Sequence, residues 1–143
     1  DKSVIGLFAD CVVTDHDGNL FDACSYAAVA AIITSKIPKW EMKDDKPVLI
    51  EDQASDTPIT TIPISVTMGL IGEFIIVDPN LDEWECLDAR ITITTNSDGN
   101  IVALQKGGSD GFSLEQLVKC AELSIAIGKK IRDIIKQATE GSK

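Results

Sequence analysis

DPNLDEWECLDARITITT, residues 78–95, follows the solid apolar run Phe74-Ile75-Ile76-Val77 and leads into an alternation of apolar and polar residues. The run before it has the length and composition of a buried strand. The alternation after it, Ala89 to Thr95, has the period of a strand with one buried face. Strand, acidic turn, strand is therefore the expected order. A buried strand then delivers Asp78, Asp82, Glu83, Glu85 and Asp88 to one edge of a sheet. Carboxylates gathered there are the raw material of a Mg²⁺ or phosphoryl-transfer site. The same five residues also suit a solvated turn in an acidic chain, because their spacing is not diagnostic of a metal.

Working back toward the N-terminus, Ile59 to Met68 and Gly72 to Val77 read as two strands with Gly69 as the turn between them. Pro38 to Asp56 is polar and reads as a surface connector with one short strand candidate, Pro47 to Glu51. Leu20 to Lys36 is helical and rich in alanine (Ala23, Ala27, Ala28, Ala30, Ala31), and Pro38 ends it. A helix this small in side chain predicts close packing on a sheet or another helix. Val4 to Thr14 is rich in Val and predicts a strand, followed by an Asp-Gly turn at Asp17-Gly18.

On the C-terminal side, Asn96-Ser97-Asp98-Gly99-Asn100 is a hairpin signal. Ile101 to Gln105 is the return strand, and Lys106 to Gly111 a flexible loop. Ser113 with Gln116 three residues on matches a capping box, opening a helix to about Ala138 and an end at Gly141. Leu114, Leu117, Val118, Ala121, Ile125, Gly128, Ile131 and Ile135 recur at helical spacing and predict its apolar face. Lys129, Lys130, Arg132 and Lys136 suit the dipole of its last turns. The order β-α-β-β-β-β-α predicts an α+β fold with a mostly antiparallel sheet.

With 143 residues, 44% of them hydrophobic, the chain can fill one core. Its formal net charge of −10 argues against strong nucleic-acid binding by this segment alone. Cys11, Cys24, Cys86 and Cys120 form no CxxC pair and read as free thiols of a reducing cytoplasm. No apolar run reaches membrane-spanning length, so no membrane partner is expected. The first residue is not Met, and the chain is expected to be a fragment of a longer protein. Lys106 to Gly111 precedes a helix N-terminus but lacks the GxxxxGK[ST] pattern, so an ordinary loop is the simpler assignment. His16, the only histidine, sits in a turn with no nucleophile to pair with.

Three stretches together resemble the RNase PH family: ADCVVTDHDGNLFDACSYAAVAA, VDPNLDEWECLDARITITTNSDGNI and QKGGSDGFSLEQLVKCAELS. The segment DGN-x-x-DA resembles the non-catalytic RNase PH-like subunits of the exosome, the archaeal ones most closely. The resemblance implies an RNase PH-like β-α-β layered domain, with residues 1–143 as its C-terminal portion. Active members are phosphate-dependent 3′→5′ exoribonucleases. It implies that they hold phosphate with a Ser/Thr-Arg pair at the start of the alanine-rich helix. Two aspartates on the acidic turn and following strand serve the metal and the acid step.

This sequence departs from that pattern at both places. Gly18-Asn19-Leu20-Phe21 stands where the Gly-Ser/Thr-Arg would be, so no cation is present to grip phosphate. Trp84 and Arg90 stand where the two aspartates would be. Asp88 lies two residues before Arg90, on the same strand face but displaced by about 6–7 Å. No catalytic residue, metal ligand or cofactor is therefore assigned. The implied role is a non-catalytic ring subunit in the cytoplasm. Its expected partners are a catalytic RNase PH-like exosome subunit, RNA-binding cap subunits, and RNA through the assembled complex. An active phosphate-dependent exoribonuclease and an unrelated acidic α+β binding module are the two competing readings.

Overall fold

In the computed structural model, residues 4–44 and 46–141 are described. In chain order they form α1 (Leu20–Thr34), β1 (Lys36–Lys43), β2 (Lys46–Asp56), β3 (Ile64–Ile71) and β4 (Phe74–Val77). After these come α2 (Leu81–Glu85), β5 (Ala89–Thr95), β6 (Ile101–Gly108) and α3 (Leu114–Glu140). Four strands make an antiparallel sheet in the order β4-β3-β5-β6, and β1 pairs only with β2.

The alternation along β5 sorts the sheet into two unlike faces. Ala89, Ile91 and Ile93 point to one side with Ile64, Val66, Met68 and Leu70 of β3, and all seven are buried. The long helix α3 covers this face, adding Leu117, Cys120, Leu123 and Ile127. Burial of such side chains stabilises by about 1.5–3 kcal/mol each. The opposite face carries hydroxyls and is covered by α1. Thr67 and Thr92 hydroxyls lie 2.8 Å apart, and those of Ser65 and Thr94 2.9 Å apart, across the β3–β5 pair. Ser25 and Tyr26 of α1 donate to the Ser65 hydroxyl and carbonyl. Helix α1 is thus seated by hydrogen bonds and α3 by apolar packing.

Several expectations are corrected. No strand forms in residues 4–14. High Val content gives strand propensity, but a strand needs a partner edge, and this segment lies along α1 across an open groove of about 660 Å³. Ala27 and Ala31 are exposed along that groove, so this stripe of α1 does not pack on the sheet. Helix α1 also stops at Thr34, because Ser35 turns extended and starts the run into β1. The expected connector over 38–56 is a hairpin, β1–β2, with Trp40 opposite Leu49 and Met42 opposite Pro47.

Gly69 is not a turn. It lies inside β3, and the turn falls at Gly72, whose φ of 58° suits glycine. Lys106, Gly107 and Gly108 extend β6 instead of forming a loop, because they pair with β5. The acidic turn contains a one-turn helix, α2, closed by a capping box between Asn80 and Glu83. The face of α3 is only in part the expected one: Gly128 and Ile135 are buried and Leu117 packs on the core as expected, but Leu114, Val118 and Ile125 are exposed, while Cys120, Ser124 and Arg132 are buried. Small residues let the helix settle on the sheet, and a Cβ on Gly128 would come within 2.6 Å of Thr95 Oγ1. Arg132 enters the interior instead of serving the dipole at the last turn. Its guanidinium donates to the carbonyls of Ile62 and Thr95, both at 2.8 Å.

Candidate functional site

The turn before α1 and the loop before α2 interlock at one end of the sheet. Gly18 sits with φ 92° against Pro79 and Asn80, where a Cβ would lie 2.6 Å from their backbone atoms. Only glycine meets both demands. Asn19, in the left-handed region at φ 37°, caps α1. Its amide nitrogen donates to Asp22 at 2.9 Å and to Asp78 at 2.6 Å. One buried asparagine therefore bridges the carboxylates of the two loops.

Asp22 is buried and fully engaged. Thr67 donates to it through its backbone N–H at 2.7 Å and its hydroxyl at 2.9 Å. Strand β4 pairs with β3 only from Met68 onward, so Asp22 takes the N–H that β4 does not reach. Burial pushes the Asp22 carboxyl above its ordinary value. The donors from Asn19 and Thr67 act the other way, and the charge of Asp78 adds to the rise. Tyr26 is also raised, first by burial and then by Asp22 and Asp78.

The remaining carboxylates of the acidic stretch are dispersed. Glu83 accepts from the Asn80 N–H in the capping box, and Asp88 accepts from the Gly72 N–H at 2.7 Å. Asp82 and Glu85 are exposed. Among the described residues, no three His, Cys, Asp or Glu side chains gather as metal ligands. His16 accepts from the Gly18 N–H within its own turn. Cys11, Cys24, Cys86 and Cys120 are all free thiols, Cys120 buried against α3's face of the sheet.

Trp84 and Arg90 meet a third residue that the sequence reading did not weigh as a partner, Phe21. The Arg90 guanidinium lies 4.7 Å from the Trp84 ring centre and 5.2 Å from that of Phe21. The two rings stand 6.4 Å apart and 21° from parallel. Such cation–aromatic pairs are worth about 0.5–1 kcal/mol each at exposed sites. Arg90 has room because its cross-strand neighbour is Gly107, on which a Cβ would fall 2.5 Å from Nε. The triangle joins α1, α2 and β5 beside the Asn19 bridge. It offers one cation held by aromatic faces, with no carboxylate pair for acid or metal chemistry. Asn19 and Asp22 had a legible signal, the three-residue spacing of a capping pair. The triangle had none, since its members lie on three separate elements.

Residues 61–127 match the family model described as 3′ exoribonuclease family, domain 2. Over residues 61–127 the chain is thus similar to the C-terminal domain of the RNase PH family. Over 96% of its length it is 44% identical to exosome complex component Rrp42 of Thermococcus gammatolerans, of which it covers 50%. Over 99% of its length it is 39% identical to the Rrp42 component of Pyrococcus horikoshii, covering 52%. The chain thus spans about half the length of these curated relatives. An Archaeoglobus fulgidus exosome with RNA bound to the active site contains a similar chain, with TM-score 0.73 and 34% identity. That likeness covers 85% of this chain and 45% of the other. A rice Rrp46 structure shares the fold at TM-score 0.62 with 16% identity. The RNase PH-like α+β fold expected from sequence is the one observed, although the element order differs: no strand precedes α1, and the β1–β2 hairpin and α2 are added.

Proposed function

We propose that this chain serves as a non-catalytic part of an exosome-type ring. In this role it pairs with a catalytic RNase PH-like subunit, shapes that subunit's active site and supports 3′→5′ phosphorolytic RNA decay. RNA-binding cap subunits and RNA itself are partners through the assembled ring, and the location is cytoplasmic. The observation that carries this reading is the Phe21–Trp84–Arg90 triangle. Where the family resemblance calls for two aspartates, the chain places an indole and a guanidinium and locks them together. Where it calls for a phosphate-gripping arginine, Asn19 is already spent on Asp22 and Asp78. Similarity to components of the archaeal exosome supports the assembly part of the reading.

The test has two arms. The purified chain is incubated with RNA and Mg²⁺, with and without orthophosphate, and no nucleoside diphosphate is expected. The chain is then co-purified with the catalytic RNase PH-like subunit, and phosphate-dependent decay is expected from the pair. Phosphate-dependent release by the chain alone would establish an active nuclease. Failure to associate with that subunit would point to a binding module of another kind.

A further inference from the structure

Cys11 and Cys24 meet across the groove between the segment 4–14 and α1. The Cys11 thiol donates to the Cys24 carbonyl at 3.8 Å, and the Cys11 side chain also stands against the Cys24 thiol. Among the described residues this is the one hydrogen bond that joins residues 4–14 to the rest of the chain. A thiol is a weak donor, so the segment is held by little. Both cysteines line the same open groove of about 660 Å³, which gives a small oxidant a way in. Cys11 is exposed and Cys24 half-buried. The other two thiols sit elsewhere, Cys120 in the apolar core and Cys86 at the end of α2.

A disulfide needs sulfurs that can close to about 2 Å, with Cα atoms usually about 4.4–6.8 Å apart. Cys24 is fixed on a helix, but Cys11 lies on a segment that belongs to no strand or helix. The segment can close the gap without breaking a ladder or a helical turn. The resulting bond would span 13 residues in sequence. That loop contains Gly18, Asn19, Phe21 and Asp22, the part of the chain that bridges to Asp78 and contacts Arg90.

We propose that Cys11 and Cys24 are a reversible thiol pair, oxidised by hydroperoxides to a disulfide that fastens residues 4–14 to α1 and stiffens the turn bearing Asn19. Cys11, the exposed thiol, is the attacking group. Burial, and then Cys11 itself, push the Cys24 thiol up, which keeps it protonated and suits it to the resolving step. The Cys11 thiolate attacks one oxygen of hydrogen peroxide. The O–O bond breaks, a sulfenic acid forms, and the departing hydroxide takes up a proton as water. Cys24 then attacks the sulfenic sulfur and gives up its proton. The S–O bond breaks, and a second water leaves. The two thiols lose two electrons in all, and the peroxide is reduced to two waters. Reduced glutathione reverses the bond by exchange. The inference does not depend on the ring reading above.

The chain is treated with hydrogen peroxide, digested without reductant and mapped by mass spectrometry. A peptide pair linked through Cys11 and Cys24 is expected, and reduced glutathione should dissolve the link. C86S should form the same link, whereas C11S and C24S should each abolish it. Oxidation of the wild type should raise the thermal midpoint by several degrees and slow amide exchange at residues 18–22. Both effects should reverse with dithiothreitol and be absent from the C11S/C24S double variant. Failure of the Cys11–Cys24 link to form, a link from Cys11 to Cys86, or a dimer joined through Cys11 would overturn the proposal. So would a link that glutathione does not reverse, or one that leaves midpoint and exchange unchanged.

Discussion

Asp22 shows how one buried carboxylate can hold a site together without performing chemistry. It accepts from the Asn19 amide, which it shares with Asp78, and twice from Thr67, through the backbone N–H and the hydroxyl. Asp22→Ala should destabilise the fold by about 1–3 kcal/mol, because the buried Thr67 N–H loses its acceptor. Asp22→Asn should be milder, since the amide oxygen can face the N–H while its nitrogen donates to the Thr67 hydroxyl. Burial raises the folded pKa of Asp22 above 3.8. The folded state therefore binds the proton more tightly than the unfolded state. That contribution to stability is complete below pH 3.8 and is lost as pH rises through the folded value. Denaturation of wild type and Asp22→Asn over a pH series should show the difference moving against the wild type as pH rises. A difference that moves the other way would refute the burial argument. Arg90 gives a second test at this scale. Gly107→Ala puts a methyl 2.5 Å from Arg90 Nε and should push the guanidinium off Trp84, changing the Trp84 near-ultraviolet signal. Arg90→Ala should cost about 1 kcal/mol, and adding Gly107→Ala to it should cost little more, because the two act through one contact.

The two helices meet the sheet by different means, and that difference decides how each tolerates substitution. Gly128→Ala in α3 brings Cβ to 2.6 Å from Thr95 Oγ1 and should destabilise by about 1–3 kcal/mol through overpacking. Ala27→Leu in α1 should stay within about 0.5 kcal/mol, because Ala27 is exposed. Equal shifts in denaturation midpoint for the two would overturn this assignment of faces. The contrast also marks what sequence could convey. The β5 alternation, the Ser113–Gln116 capping box and the Asp98-Gly99 turn were readable because each depends on neighbours within a few residues. The shift in the face of α3 was not, because hydropathy marks Leu114 and Val118 while packing selects Cys120 and Ser124. Arg132 reads as a surface cation until the carbonyls of Ile62 and Thr95 are seen to need a donor. Residues 4–14 carry strand propensity, but a strand is a property of two segments. Of the hairpin only part of β2, Pro47 to Glu51, was legible, because lysines and prolines break the apparent alternation that Trp40 and Met42 maintain in β1.

At the scale of the whole molecule, the sheet separates two tasks. Its apolar face, closed by α3, holds the fold, and its hydroxyl face, through α1, brings the two loops of the site together. Within that plan the exposed carboxylates of α2 have local duties at most. Glu83 closes a capping box, and Asp82 sits in the first helical turn, where negative charge suits the dipole. Asp82→Asn with Glu83→Gln keeps an acceptor for the Asn80 N–H and should change stability by less than about 0.5 kcal/mol. A ring reconstituted with the double variant should degrade RNA within a few-fold of the parent rate. Removal of one true transition-state stabilising group lowers a rate by about a hundredfold or more, near 3 kcal/mol. The two outcomes are therefore separated by more than the scatter of surface changes. The reverse substitution sharpens the point. Trp84→Asp with Arg90→Asp dismantles the triangle and returns two carboxylates, yet supplies no arginine beside Asn19 to hold phosphate, so the isolated chain should stay inactive. Abolished decay in a fully assembled ring carrying only the Asp82/Glu83 change would mean that α2 takes part in the chemistry, and that the triangle of Phe21, Trp84 and Arg90 is not what set these carboxylates aside.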